Sequence, residues 1–349
     1  MTQSSEPFLE QSWRKHCYRN VCEDCRRRRL ELLHRTSQQI PMDAEDEVQV
    51  LEDQDQHVED EDHDVVDENH GTPLVYFELE NPLRAFYSLI KAMDFRKYCV
   101  FVATENALFV EVDDETYLKA VATFASTMFA VYKINLPPEK EKVEFRILMS
   151  DLLQCISILG KDDATALVCN YVCEGSDVVF IRRQVHMLVK FSIKTHLRVP
   201  QLDFDYKSED VTCRIRIRLK PDIFCDIIKD LDKSSVNVQI KVTEDAMEFY
   251  TAGELGKVDI SIPKQSELIE EFKMVVPQLM ERYKVNLLQK MVPALQFCDK
   301  VSIRIDTRGI LQAQFIATIA NTNSYIEFYI VPDACSGFTE SEEDEDIDI

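Results

Sequence analysis

ATENAL, residues 103–108, has a near-copy in VTEDAM, residues 242–247, displaced by 139 positions. Asn81-Pro82-Leu83 opens an amphipathic stretch that runs to Met93, and Lys220-Pro221-Asp222 opens one that runs to Asp232, again 139 positions on. Phe145-Arg146-Ile147-Leu148 precedes a helical Leu/Ile pattern, as Tyr283-Lys284-Val285-Asn286 does 138 positions later. Matches that share one displacement mark an internal repeat. One unit is expected at 74–197 and its copy at 211–334, joined by a connecting loop at 198–210.

The pattern inside each unit can be read locally. Pro82 and Pro221 suit a first helical turn, where a missing N–H leaves no carbonyl unpaired. Leu83, Phe86, Ile90 and Met93 form one stripe of the first helix, with Arg84, Ser88 and Lys91 on another. Tyr98–Ala103 and Ala107–Val112 flank Thr104-Glu105-Asn106, a hairpin signal. Ser150 is expected to cap a second helix, Asp151–Leu159, that Gly160 ends. The copy of that helix contains Pro293, so it should begin near Gln289, with the proline in its first turn. Val211, Cys213, Ile215, Ile217 and Leu219 alternate with Thr212, Arg214, Arg216 and Arg218, as a strand with one buried face does. The fold class is therefore α+β: two repeated units, each with two helices packed on one face of an antiparallel sheet.

The chain has 349 residues, 45% of them hydrophobic, and a formal net charge of -23. That charge is concentrated. Residues 43–68 hold 14 acids and no base, and residues 336–349 hold 7 acids and no base. Residues 1–42 carry a net of +3, which leaves -5 for residues 69–335. The folded body is nearly balanced, so the overall acidity does not argue against nucleic acid as a partner. Residues 1–73 and 335–349 are expected to be a disordered extension and tail, because one-signed charge with few apolar groups cannot offset the entropy of ordering. No run of 18 apolar residues exists, and the N-terminus lacks the apolar stretch of a signal peptide. The 11 cysteines are then expected to be reduced thiols in the cytosol or nucleus.

Longer segments carry a resemblance. FVATENALFVEVDDETYLKAVATFASTMF (101–129), YKINLPPEKEKVEFRILMSDLLQCISILG (132–160) and VDISIPKQSELIEEFKMVVPQLMERYKVNLL (258–288) resemble the Rad-one subunits of the DNA-damage checkpoint clamp, the nine-one-one heterotrimer. CDKVSIRIDTRGILQAQF (298–315) and IEFYIVPD (326–333) continue the likeness, which spans about residues 74–334. Thr251-Ala252-Gly253-Glu254-Leu255-Gly256 also resembles the replicative clamp, proliferating cell nuclear antigen. The resemblance implies a two-domain sliding-clamp subunit. Three such subunits would close a pseudo-sixfold ring around double-stranded DNA, with helices inside and sheets outside. It also implies Rad-nine-like and Hus-one-like ring partners, an ATP-driven clamp loader, repair and checkpoint proteins as clients, and a nuclear location. No cofactor, metal or membrane is implied.

In such a ring the bases on or near the helices, Arg84, Lys91, Lys229, Lys233, Lys284 and Lys290, would face phosphate. Asp222 and Asp226 share the third helix's polar side, so the lining is expected to be mixed, and ordinary solvation explains each base equally well. Clamps also bind partner peptides in a groove between the connecting loop and the last strand. The matching positions are Leu202, Phe204 and Tyr206 with Ile330, Val331 and Pro332, unless these merely pin the loop to the sheet. Arg214, Arg216 and Arg218 read as a solvated face paired with acids.

Outside the body, His16-Cys17, Cys22, Cys25 and His34 lack two close ligand pairs with a suitable loop between them, which disfavours zinc. Arg26–Arg29 read either as a nuclear-import patch or as the charged side of a short helix. Thr339 and Ser341 precede a run of acids suited to acid-directed kinases.

Catalysis is disfavoured. Among 7 glycines and 7 histidines there is no P-loop, no G-x-S-x-G and no H-E-x-x-H. A 3'-5' exonuclease has been proposed within the family, but the nearest acidic pattern, Asp203-x-Asp205, lacks companions. A homotrimeric replicative-type clamp and a clamp-fold adaptor that does not encircle DNA are the other rivals.

Overall fold

Alternation of apolar and polar residues makes the strands, and 3.6-residue periodicity makes the helices. A computed structural model of the chain describes residues 72–80, 83–159, 166–184, 187–197, 213–254, 256–319 and 322–333, all within one compact unit, Val66–Ile349. The first half runs β1 (Val75–Leu79), α1 (Leu83–Ala92), β2 (Tyr98–Ala103), β3 (Ala107–Asp113), β4 (Leu118–Ala125) and β5 (Val131–Ile134). It continues with β6 (Val143–Leu148), α2 (Met149–Leu159), β7 (Ala166–Tyr171), β8 (Val178–Gln184) and β9 (Met187–Ile193). The second half repeats that order: β10 (Cys213–Leu219), α3 (Pro221–Asp230), β11 (Asn237–Thr243), β12 (Ala246–Gly253), β13 (Gly256–Pro263) and β14 (Ile269–Met274). Then follow β15 (Gln278–Lys284), α4 (Val285–Gln289), α5 (Val292–Leu295), β16 (Lys300–Asp306), β17 (Leu311–Ile319) and β18 (Thr322–Ile330).

The repeat is visible down to single hydrogen bonds. In the β2–β3 turn, Thr104 Oγ1 accepts the Ala107 N–H at 3.2 Å, and in the β11–β12 turn Thr243 Oγ1 accepts the Ala246 N–H at 3.3 Å. Each threonine thus closes its own turn with its side chain, so the two six-residue strings make the same turn. Leu83, Phe86 and Ile90 of α1 and Met93 just past its end are fully buried as one stripe, and the Phe86 ring meets Phe124 of β4 at 4.7 Å between centroids.

Two local expectations change. Helix α2 begins at Met149, so Ser150 is its second residue and its hydroxyl donates to Asp151 Oδ1 at 3.1 Å instead of capping the helix. Pro293 does lie in the first turn of its helix, but that helix begins at Val292, and a separate helical segment the sequence reading did not expect precedes it, from Val285 to Gln289. Proline has no N–H for the Gln289 carbonyl and its ring would clash there, so the chain restarts as α5 with Pro293 in its first turn.

Three sheets result, all antiparallel: β5-β1-β7-β8-β9, β13-β12-β11-β15, and a nine-stranded sheet β14-β10-β16-β17-β18-β4-β3-β2-β6. By repeat position, β5-β1-β7-β8-β9 corresponds to β14-β10-β16-β17-β18, and β6-β2-β3-β4 to β15-β11-β12-β13. The nine-stranded sheet is therefore the five-strand module of the second half fused to the four-strand module of the first. The seam is β18 against β4, from Tyr325 opposite Thr123 to Ile330 opposite Leu118. One hydrophobic core runs through both halves.

Candidate nucleic-acid interface

The helices form one layer. Helix α1 packs beside α2, α3 beside α4 and α5, and α1 touches α5, so the layer spans both halves. The inner faces of α1 and α3 are apolar, which leaves their polar stripes outward. Arg84, Lys91, Lys229 and Lys233 are all exposed. Lys91 pairs with Asp94, a bond that raises its pKa, and Lys229 lies 3.9 Å from Asp226. The Lys229 pKa is raised first by hydrogen bonding to the Cys225 thiol, with Asp226 and Asp222 adding to it. Asp222 and Asp230 are exposed on the same helix. Helix α2 contributes no base: its outward residues are Ser150, Gln154, Ser157 and Ile158, the last 54% exposed. The layer is mixed in charge, suited to loose contact with phosphate and not to a tight grip.

Two exposed bases escaped the sequence reading, Arg96 and Lys97, which follow α1 directly. Their signal was present, since cations cluster after a helix C-terminus, but the reading stopped at the helix end. Lys284 and Lys290, by contrast, are half-buried at the junction of the two halves. Lys284 Nζ lies 3.7 Å from the centre of the Tyr117 ring, and Lys290 Nζ lies 5.2 Å from that of Phe95. Burial lowers the Lys290 pKa, opposed by Asp114 and reinforced by Arg96.

Burial would raise the Asp114 pKa, but it is overcome: the backbone N–H groups of Leu118, Tyr117 and Thr116 and the charge of Lys290 bring the net shift below the usual value. A lowered carboxylate pKa stabilises the fold above the unfolded-state value, about 4, and that contribution is lost as pH falls through the folded value. Asp114→Asn is therefore expected to lower the melting temperature at pH 7, with the gap to wild type closing below about pH 4. Thermal melts across pH 2.5–7 on the order of every half unit check this, and a gap independent of pH would refute it.

The groove expectation divides. Leu202, Phe204 and Tyr206 lie outside the described residues, as does the whole connecting loop. Ile330 is a correction: it is fully buried in β18, where strand alternation turns it into the core with Ile326 and Phe328, so its side chain offers nothing to a partner. Val331 and Pro332 are half-buried at the surface beside Tyr117, whose carbonyl accepts the Val331 N–H at 2.9 Å. The arginine row of β10 is paired with acids: Arg214 Nη1 is 2.9 Å from Glu281 Oε1 and Arg218 Nη2 is 3.1 Å from Glu271 Oε2. Lys273 holds the Glu271 pKa below its usual value, with Arg218 and Arg216 adding to that effect.

Among the described residues, strands β9 and β13 each end a sheet with one side unpaired. Their repeat counterparts are β18 and β4, the two strands that pair within the chain. Leu188 of β9 is 66% exposed, and Lys257 and Asp259 of β13 are exposed. Behind β13, the β12–β13 hairpin is held to the end of α3: Ser234 Oγ accepts the Glu254 N–H at 2.7 Å while donating to Asp232 Oδ1 at 2.7 Å.

Among the described residues no group of three or more His, Cys, Asp and Glu is placed to hold a metal ion, and no helix is long and apolar enough to cross a membrane. The His16–His34 cluster, Arg26–Arg29, Asp203 and Asp205, and Thr339 and Ser341 lie outside the described residues.

Comparison with known proteins gives a consistent picture. The family described as "Repair protein Rad1/Rec1/Rad17" matches residues 79–317. "Cell cycle checkpoint protein RAD1" of Homo sapiens is 31% identical over 264 residues, which is 73% of this chain and 90% of that protein. "Cell cycle checkpoint protein RAD1 homolog mrt-2" of Caenorhabditis elegans is 27% identical over 246 residues, 70% of this chain and 89% of that one. The crystal structure of the proliferating cellular nuclear antigen from Entamoeba histolytica superposes with a TM-score of 0.60 at 12% identity, covering 75% of this chain and 100% of that one.

Proposed function

The chain belongs to the Rad1/Rec1/Rad17 repair-protein family, and from that membership we propose that it is one non-catalytic subunit of a heterotrimeric ring that encircles DNA at damage sites. The family and the sliding-clamp fold make it a checkpoint clamp subunit. The finer reading is that Rad-nine-like and Hus-one-like subunits complete the ring in the nucleus, that a clamp loader opens it, and that repair and checkpoint proteins dock on it. Residues 74–197 and 211–334 would be its two clamp domains, with 198–210 connecting them.

The observation that carries this reading is the β18–β4 seam. Two repeat modules already join edge to edge inside the chain, and the counterparts of those same strands, β9 and β13, have one side without a partner strand among the described residues. An edge strand is a template for pairing, and the seam supplies the geometry. Repeating it between chains yields head-to-tail contacts, which close when the rotation allows. Light scattering tests this: a monomer alone that forms a 1:1:1 trimer with the other two subunits supports the heterotrimer. A stable homotrimer would favour a replicative-type clamp, and a monomer under every condition an adaptor.

Within the ring the helix layer would face DNA, with Arg84, Lys91, Lys229 and Lys233 reaching phosphate. Lys284 and Lys290, turned to aromatic rings, would contribute less. Lys91→Glu with Lys229→Glu is expected to shorten retention on closed circular DNA several-fold and to flatten its salt dependence by about one to two phosphate contacts. Retention by the assembled ring across a salt series reads this, and unchanged retention would remove the DNA-facing assignment. Asp203 and Asp205 have no proposed role; metal-dependent DNA cleavage lost on Asp203→Ala would overturn the non-catalytic reading.

A further inference from the structure

The last described residues are pinned beside the patch that the partner-groove reading uses. The Val331 N–H is bonded to the Tyr117 carbonyl at 2.9 Å, the Asp333 N–H to the Arg282 carbonyl at 2.8 Å, and Asn237 Nδ2 to Asp333 Oδ2 at 2.9 Å. Around that anchor lie Tyr117, Val331 and Pro332, half-buried and apolar or aromatic, with Lys284 over the Tyr117 ring. Lys290 lies at the Phe95 ring on the same side of the fold, and the positive charge of Arg96 adds to the lowering of its pKa by burial. Of the carboxylates alongside, Asp333 is bonded to Asn237, while Asp114 accepts three backbone N–H groups and shares the charge of Lys290, which leaves Lys284 as the base the tail would chiefly meet.

From this anchor the chain continues as ACSGFTESEEDEDIDI, residues 334–349: one aromatic, Phe338, then 7 acids and no base. That is an aromatic followed by anionic charge, the complement of an apolar shelf rimmed by lysine. Phe338 lies five residues past Asp333, a reach of at most about 17 Å. Lys284 and Lys290 flank α4 at its two ends, and Lys284 is the one seated on the Tyr117 ring beside the anchor, so it is the first base the acids after Phe338 would meet. A ligand tethered this closely has an effective concentration on the order of millimolar, enough to fill even a weak site in cis.

We propose that the acidic tail, residues 334–349, is the intrachain occupant of the Tyr117–Lys284–Val331 patch, seating Phe338 on the half-buried residues and its carboxylates on the lysines, so that a clamp partner must displace it. The consequence for partners rests on the groove reading above; the docking itself does not.

Full-length chain carrying the photo-crosslinker benzoylphenylalanine in place of Phe338 tests the docking. Irradiated as the monomer, it is expected to crosslink internally to peptides bearing Tyr117, Lys284 or Val331, in a yield independent of protein concentration. Lys284→Glu or salt raised to about 0.5 M should cut that yield at least about fivefold, since the contact is charge-assisted. Crosslinks to other regions, none at all, or a yield indifferent to Lys284→Glu would overturn the proposal. A fluorescent peptide of residues 334–349 gives an independent readout. It should bind full-length chain carrying Phe338→Ala and Gln or Asn at Glu342, Glu343, Asp344 and Glu345 about tenfold or more tighter than it binds wild type, whose own tail blocks the patch. Equal binding would count against the proposal. If the crosslink forms but clamp-binding proteins bind the tail-substituted chain no better than wild type, the tail docks and the partner-groove reading is what fails.

Discussion

Leu188→Arg is expected to weaken assembly of the three-subunit ring at least about tenfold, or 1.4 kcal/mol, while leaving the isolated chain folded. Leu188 is 66% exposed on β9, a strand whose outer side has no partner among the described residues. A large apolar side chain at a sheet edge is a contact in waiting, and charge at such an edge is how proteins block edge-to-edge pairing. The substitution places a guanidinium where the neighbouring β13-type strand would pack, so part of that charge must be desolvated on assembly. In the monomer the same position faces water, where surface changes stay within about 0.5 kcal/mol. Light scattering on the three mixed subunits reads the assembly, and circular dichroism of the variant alone reads the fold. A variant that forms a 1:1:1 trimer as readily as wild type would remove β9 from the subunit contact.

Phe328→Ala is expected to cost about 3–5 kcal/mol of unfolding free energy and to lower the melting temperature by about 6–20 °C. Phe328 is fully buried in β18, opposite Ala120 of β4 across the seam and 5.5 Å from the Phe315 ring. Removing the ring leaves a cavity at the line where the two halves meet, flanked by strands that cannot move without breaking their ladders. Because one core runs through both halves, the loss should appear as one shifted transition. Urea titration followed by fluorescence and circular dichroism checks it. A cost under about 1 kcal/mol would show that the site collapses freely, and two separated transitions would show that the halves unfold independently.

Much of this architecture was written locally. The α1 stripe of Leu83, Phe86 and Ile90, continued by Met93 just past its end, could be read because one buried face of a helix imposes its own period. The two threonine turns could be read because the same four-residue closure recurs. The burial of Ile330 was also legible, since Ile326, Phe328 and Ile330 alternate with Tyr325, Glu327 and Tyr329. The start of α4 was harder. Strand β15 runs into it at Lys284-Val285 with no glycine or proline between, so only Pro293 marked any boundary.

What the sequence by itself determined is the repeated unit: its strands, its helices, its turn chemistry and the concentration of acid outside the body. Local periods and local caps dictate these, and they need no partner from elsewhere in the chain. The tertiary structure decided how the units join. Pairing of β18 with β4 brings together residues some two hundred positions apart, and either strand's pattern would suit a free edge equally well. It also decided the fate of individual bases. Lys91 and Lys284 look alike in a string of letters, yet one is exposed on a helix and the other lies 3.7 Å from the centre of the Tyr117 ring, which belongs to the other half of the chain. A side chain's environment is set by what packs against it, and that is fixed only when the halves close on each other.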